Sequence, residues 1–451
     1  MAFAKDSYWL KSGIYTVLQR VTTLLTGFGS FYILVRMLPK EQMGEYALFL
    51  TVTALIEVSK NGLIQNAQIK YSASATPEEY PKILSASFSL NLLIALILVA
   101  GLFIAAKPLS ILWSSPSLEP MFYLYVITTL VLVPFYQFNF IQQANLDFKG
   151  IFYSSLVRQG LFFTGILVAL IIGYQIELTE IVWLMTAGAL LGTLTSYPFV
   201  KKFFRISKKI EWNWVKKLFH YGKYVFGTNI SSMIYTSVDQ MMLGILLGPP
   251  SVAVFNVAQR VTNFVEVPLS SVSAIVFPQS AKRIETDGKE AVCYLYERSV
   301  GLLLAMILPV TIVTLLFTKE IIIIIAGEQY LSAVPILQVI ILATLLQPFG
   351  RQFGVVMDSI GKPRVNFILL VIIMLVNILS NYLYISYFGL IGAAFGTFTA
   401  LVIFLIINQI ILKREIGVKT HHTFIYMYRF YIDGFNMVLN KLFKRKNHNK
   451  D

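Results

Sequence analysis

The stretch ILSASFSLNLLIALILVAGLFIA (residues 83–105) runs through 23 positions without a charged side chain. At about 1.5 Å of rise per residue it is long enough, as a helix, to cross ~30 Å of hydrocarbon. Working outward from it, eleven further stretches read the same way: 12–37, 43–65, 119–142, 151–173, 178–200, 218–246, 251–276, 298–325, 331–356, 365–386 and 390–412. Clusters of Pro, Gly and charge separate them, among them Thr76-Pro77-Glu78-Glu79, Lys107-Pro108, Gly248-Pro249-Pro250 and Gly361-Lys362-Pro363-Arg364. Backbone polar groups in lipid must be satisfied internally, and the stretches are continuous rather than alternating, so helices are expected and a β-barrel is excluded. Composition agrees. The 451 residues are 56% hydrophobic and 13% charged, against about 45–50% and ~25% for soluble chains, and the mean hydropathy is +0.69.

The net charge of +14 first suggests a polyanionic partner. Its distribution says otherwise. With the N-terminus placed in the cytoplasm, inner loops and tails carry 27 of the 37 Lys and Arg, and the outer loops carry four: Arg36, Lys40, Lys107 and Lys319. That asymmetry is the positive-inside pattern with both termini cytoplasmic, so no nucleic-acid partner is needed. The basic run 201–217 and the tail cluster 441–446 suit anionic lipid. The segment Phe424–Phe443 mixes aromatic and charged residues as an interfacial amphipathic helix does. Lys5, Asp6 and Lys11 precede the first span with no short apolar region and cleavage site, which predicts an uncleaved first span. A single cysteine, Cys293, excludes an internal disulfide, and four scattered histidines (His220, His421, His422, His448) predict no metal site.

The run 201–217 divides the spans six and six. A shift of 209 residues aligns Gly13–Val58 with Gly222–Val267 without a gap, pairing Thr53 with Thr262 and Glu57 with Glu266. The polar stripe Arg20, Thr23, Gly27, Ser30 then meets Asn229, Ser232, Thr236, Asp239. Both step by 3, 4 and 3, one helix face. Parallel repeats of this kind typify transporters with a site between their halves. The expected organisation is therefore an all-α polytopic membrane protein. About twelve helices form two pseudo-symmetric six-helix lobes, 1–200 and 218–412, around a central cavity. The basic linker 201–217 joins them and a cytoplasmic tail follows over 413–451.

Ionisable groups at membrane depth mark a cavity or a partner. They are Arg20, Glu57, Lys60, Arg158, Lys223, Asp239, Arg260, Glu266 and Arg351. Lys223 and Arg351 lie about a turn from the inner end, where a long side chain snorkels. The bland alternative for Glu57 and Lys60 is mutual neutralisation at i, i+3, and for Asp239 a structural lock with a cation of another helix. Arg20, Arg158 and Arg260 are harder to dismiss, because guanidinium stays ionised and its planar fork fits phosphate. With Lys60, Asn229 and Asn263 they form the expected substrate cavity, cationic and amide-lined. Asp239, Glu57 and Glu266 are the expected ion-coupling groups. No span histidine, large outer loop or Asp-rich motif supports a membrane enzyme, and a scaffold has no use for buried charge.

The turn Val35-Arg36-Met37-Leu38-Pro39-Lys40-Glu41-Gln42-Met43-Gly44-Glu45-Tyr46 resembles that of the polysaccharide (O-antigen, Wzx-type) flippases of the multidrug/oligosaccharidyl-lipid/polysaccharide exporter superfamily. So do Val238-Asp239-Gln240 with Gly248-Pro249, Ala258-Gln259-Arg260, Gly327-Glu328-Gln329-Tyr330, Ser359-Ile360-Gly361-Lys362-Pro363 and Gly389-Leu390-Ile391-Gly392-Ala393-Ala394. The resemblance implies a flippase in the bacterial cytoplasmic membrane. Its cargo would be an undecaprenyl-pyrophosphate-linked oligosaccharide for O-antigen, capsule or exopolysaccharide, moved by alternating access. It implies no bound cofactor but coupling to a proton or sodium gradient. The partners it implies are lipid-linked oligosaccharide, membrane lipids, and the polymerase and chain-length machinery. The alternative is a multidrug or other small-molecule exporter of the same superfamily, for which an acidic cavity is the expectation.

Overall fold

The computed structural model describes residues 2–448. Among them are sixteen α-helices, two short 3-10 segments and no strand. The helices are α1 (Ala2–Met37), α2 (Lys40–Ala73), α3 (Tyr80–Leu112), α4 (Leu118–Ala144), α5 (Phe148–Ile171), α6 (Leu178–Val200), α7 (Trp212–Leu247) and α8 (Pro249–Thr262). They continue as α9 (Glu266–Thr286), α10 (Gly288–Leu316), α11 (Thr318–Ala326), α12 (Val334–Ala343), α13 (Gln347–Ser359), α14 (Pro363–Phe388), α15 (Leu390–Ile416) and α16 (Thr420–His448). Each of the twelve expected spans falls on helix. Among the described residues ten segments are long and apolar enough to cross a membrane and an eleventh is a bent pair; α1, which carries the span expected at 12–37, is not one of them. The chain is a multi-pass helical membrane protein.

Three spans differ from the expectation in shape, and the one expected at 298–325 divides at Phe317 into α10, ending at Leu316, and α11, starting at Thr318. The span expected at 251–276 is a 38-residue helical segment, Pro249–Thr286, with a 3-10 turn at Asn263–Val265. The span expected at 331–356 is broken, bending 41° between Glu328–Ala343 and Gln347–Ser359. The cause is local. Pro348 stands in the first turn of α13 and has no N–H to give, while the Thr344 hydroxyl donates to the Ile341 carbonyl at 2.6 Å. Both withdraw groups from the helical ladder.

The contacts gather into two units, Met1–Ala253 and Val254–Asp451. The division expected at 201–217 differs from this one by a helix, because α7 packs on α2 and α3 within the first unit. There, α5 packs on α1 and α6, and α4 on α2, α3 and α6. Helix association in lipid relies on close backbone approach and on polar contacts between helices, and both occur. A Cβ on Gly222 of α7 would stand 1.7 Å from the Leu63 carbonyl oxygen of α2. Ser87 donates to Gln68 at 2.6 Å, Gln142 to Ser196 at 2.8 Å and Thr51 to Gln240 at 3.0 Å. These buried amides hold helices to one another.

In the second unit α14 packs on α15, α12 on α15, and α10 on α9 and α16. The helix expected at Phe424–Phe443 belongs to α16, which starts earlier, lies along α10 and is not among the candidate spans. The buried Glu297 carboxylate of α10 fixes its start, accepting from the Lys419 backbone N–H at 2.8 Å and lying 2.9 Å from His422 Nδ1. Further on, Tyr431 donates to the Ala305 carbonyl at 2.8 Å. Hydrogen bonds to a charged group contribute about 1.5–3 kcal/mol each. Glu297→Ala should therefore loosen α16, and the exposed Arg429 should be cut by trypsin roughly tenfold faster or more. An unchanged cleavage rate would show that packing on α10 suffices without the carboxylate.

Candidate functional site

Glu57 and Lys60 stand one turn apart on α2, so they share a face. Lys60 is wholly buried. Its Nζ lies 3.3 Å from Glu57 Oε1, 3.5 Å from the Thr129 carbonyl of α4 and 5.1 Å from the Tyr136 ring centre. Tyr125, also on α4, donates to the same Glu57 oxygen at 3.2 Å. Tyr136 is near enough to interact with both Glu57 and Arg158. Arg158 comes from α5, its guanidinium 5.0 Å from the Phe135 ring centre. Glycines on α6 let α5 approach here: a Cβ on Gly188 would lie 2.6 Å from the Arg158 carbonyl oxygen. Three helices thus deliver one carboxylate, two cations and two phenols to one place.

The network has spare capacity. Glu57 Oε2 and Arg158 Nε are buried without a hydrogen-bond partner among the described residues. An unmade hydrogen bond in a buried site costs about 1–3 kcal/mol, so both atoms remain able to bond a water or a ligand. One carboxylate against two cations also leaves a surplus positive charge.

Glu57 opens onto a cavity of about 420 Å³ between α2 and α7, within the usual ~300–1,000 Å³ of small-ligand sites. Val58, Asn61, Gly62 and Gln65 line it from α2, and Asn229, Ser232, Met233 and Thr236 from α7. Each set repeats by three and four, one face of each helix. Gly62 sets the width, since a Cβ there would lie 2.9 Å from Asn229 Nδ2. Amides donate and accept at once, so this wall suits a hydroxyl-rich ligand. Among the described residues Glu57 is its one ionisable lining residue.

The expected site residues are distributed as follows. Glu57, Lys60 and Arg158 share the network, and Glu57 and Asn229 line the cavity. Lys60, expected to meet substrate directly, is instead enclosed behind Glu57. Arg20 is exposed on α1, beside Gln19, which donates to Ser155 of α5 at 3.2 Å. Asp239 is buried on α7, beyond the residues that line the cavity. Arg260, Asn263 and Glu266 belong to the second unit. Arg260 is half-buried in the last turn of α8, and Asn263 is exposed in the 3-10 turn. Glu266 pairs with Arg351 of α13, so Arg351 has a partner and does not merely snorkel. The two repeat-related glutamates, Glu57 and Glu266, each hold a cation. Tyr125, Tyr136, Asn61 and Gln65 are site residues that sequence reasoning does not single out. Their spacings were the available signal: Asn61 and Gln65 follow Glu57 by four and eight, and the tyrosines are eleven apart, three helical turns.

Residues 33–335 match the family described as polysaccharide biosynthesis protein. The chain is 32% identical over 184 residues to an uncharacterised membrane protein of Methanocaldococcus jannaschii, covering 41% of this chain and 36% of that one. It is 23% identical over 216 residues to a probable low-salt glycan biosynthesis flippase, Agl15, of Haloferax volcanii, covering 48% and 46%. It is 21% identical over 355 residues to the lipopolysaccharide biosynthesis protein WzxC of Escherichia coli K12, covering 77% and 69%. The chain thus spans less than half the length of the first two relatives. Among solved structures, the lipid II flippase MurJ in an inward closed conformation superposes with a TM-score of 0.73 at 16% identity, covering 96% of this chain and 93% of that one. An inward-facing multidrug resistance MATE family transporter of the MOP superfamily gives 0.72 at 14% identity, covering 89% and 98%. The fold is that of MOP-superfamily transporters.

Proposed function

Because the chain belongs to the family of polysaccharide biosynthesis proteins, we propose that it is a flippase for a lipid-linked oligosaccharide. The observation that carries this reading is the amide- and hydroxyl-lined cavity between α2 and α7. Asn61, Gln65 and Asn229 hold sugar hydroxyls there. Arg158, with its unused Nε, and the exposed Arg20 meet the pyrophosphate; within the second unit, Arg260 and Asn263 are the residues assigned to substrate. Lys60 acts through Glu57, holding it in place. The carrier lipid is undecaprenyl pyrophosphate, as the resemblance of the sequence implies. The cytoplasmic membrane is the site of action, with both termini inside as the loop charges demand. Transport alternates between inward- and outward-open states. A proton or sodium gradient drives it, through Glu57, Asp239 or Glu266. A glycan polymerase with its chain-length machinery takes the product.

A drug exporter of the same superfamily is the second reading, and one observation favours it: the cavity lining carries a carboxylate and no cation. That carboxylate is already engaged by Lys60 and Tyr125, which leaves little charge for a cationic drug. The two readings separate on one experiment. Deleting the gene from its host should remove surface polysaccharide and accumulate its lipid-linked precursor. Wild type should reverse both, whereas Asn229→Leu should restore about a tenth of the polymer or less, as loss of one or two amide hydrogen bonds predicts. Normal polysaccharide in the deletion strain, with raised sensitivity to cationic drugs, would overturn the flippase reading.

A further inference from the structure

A second cavity, of about 430 Å³, lies in the first unit where the C-terminal end of α2 meets the N-terminal part of α7. Tyr71, Lys216, Lys217, His220 and Tyr221 line it. No carboxylate is among them. The nearest one in the preceding segment, Glu211, pairs instead with Lys82 at 3.8 Å. A cluster of lysines at this end of a membrane protein ordinarily reads as orientation charge, with each side chain free in solvent. Of the two lining lysines Lys217 is held against rings, and so is Lys70, which stands next to the lining Tyr71. Lys217 Nζ lies 4.7 Å from the Tyr71 ring centre and 4.3 Å from that of Trp214. Lys70 Nζ lies 4.7 Å from Tyr221. The rings hold each other too: Tyr71 packs edge-on against Trp214 and Tyr221, at 5.7 and 5.9 Å. Behind them is the apolar cluster of Leu63, Leu218 and Val215.

Topology needs positive charge here but no aromatic frame. Stacking on ring faces removes the rotamer freedom that a lysine loses on binding. It also gathers like charges that repel one another until an anion arrives. Ammonium groups grip phosphate as point charges. We propose that this cavity is a phosphate-binding site, separate from the amide-lined one. Two sources present that chemistry at this end of the molecule, the headgroup of an anionic phospholipid and the pyrophosphate of a lipid-linked cargo. In the second case the cavity is where cargo docks before translocation, a role that rests on the flippase reading; phosphate binding itself does not.

Trp214 reports on the site. The full chain would be reconstituted in phosphatidylcholine nanodiscs, and its emission compared with that of Trp214→Phe to isolate the signal. Titration with inorganic pyrophosphate, and separately the inclusion of phosphatidylglycerol, should give a saturable change. Lys70→Gln/Lys217→Gln should weaken the response about tenfold or more. Tyr71→Leu should weaken it and Tyr71→Phe retain it, which separates loss of the frame from loss of the fold. A response to pyrophosphate that phosphatidylglycerol leaves intact identifies the cargo head. A response to phosphatidylglycerol that pyrophosphate cannot displace identifies the lipid. Absence of a Trp214 response to either probe, or equal responses in wild type and the double lysine variant, would overturn the proposal. Binding is read without transport, so failure here leaves the polysaccharide experiment to judge the flippase reading.

Discussion

Replacing Glu57 by leucine should cost the first unit about 3–5 kcal/mol, the usual penalty for leaving one partner of a buried ion pair behind. Lys60 is wholly buried, and Glu57 is the one carboxylate paired with it. With that carboxylate gone, the ammonium keeps the Thr129 carbonyl and the face of Tyr136, neither of which carries a charge. The reverse change is milder. Lys60→Met leaves a carboxylate that still accepts from Tyr125 and reaches the cavity, so about 1–2 kcal/mol is expected. The double variant Glu57→Leu/Lys60→Met should recover most of the loss, since an apolar pair of similar volume often matches a buried ion pair. Thermal melting of the purified chain in detergent measures all three. A Glu57→Leu protein that melts with the wild type would mean that Lys60 is not held as an uncompensated cation.

Gly222→Ala is the second large effect. One methyl group on α7 would stand 1.7 Å from the Leu63 carbonyl oxygen, with the Leu63 carbonyl carbon at 2.7 Å. The obstacle is helix backbone, which cannot rotate aside as a side chain does. The two helices must separate or slide, at about 1–3 kcal/mol or more. The same two helices form the amide-lined cavity, so transport should fall further than stability does. Gly101→Ala is the control, because nothing lies within 4 Å of its added Cβ. There the usual helical preference for alanine should hold, a gain of roughly 0.5–1 kcal/mol. Yield, melting temperature and polysaccharide complementation together read both variants. Equal behaviour of the two would show that the close approach at Gly222 is not needed.

Much of the fold was legible because lipid imposes a coarse rule on sequence. A helix must satisfy its own backbone, so long uncharged stretches such as 83–105 announce themselves. The breaks were less legible. Pro348 and Thr344 each occur in unbroken helices elsewhere, and their joint effect on α12 and α13 appears only when both act within one turn. In the site, Glu57, Lys60 and Asn229 were visible as polar groups in apolar surroundings. Tyr125 and Tyr136 were not, because tyrosine is common in this chain and a phenol is unremarkable in a membrane helix. Their part depends on α4 packing beside α2, a long-range fact. The same holds for Gln137 and Gln142. As sequence they suit a sugar; as structure Gln137 donates to the Ser87 backbone at 3.3 Å and Gln142 to Ser196, between helices.

The two glutamate–cation pairs differ in when they can form. Glu57 and Lys60 lie on one helical turn, so α2 can leave the translocon already neutralised. An isolated charge at mid-membrane raises the insertion free energy by roughly 2.5–3.5 kcal/mol, and a pair made during synthesis avoids most of that. Glu266 waits for Arg351, 85 residues later. Until α13 has been made, the helix that carries Glu266 needs water, lipid headgroups or a chaperone beside its carboxylate. Helix α2 therefore enters the bilayer with its ion pair already made, whereas α9 carries its carboxylate until the arginine of α13 arrives.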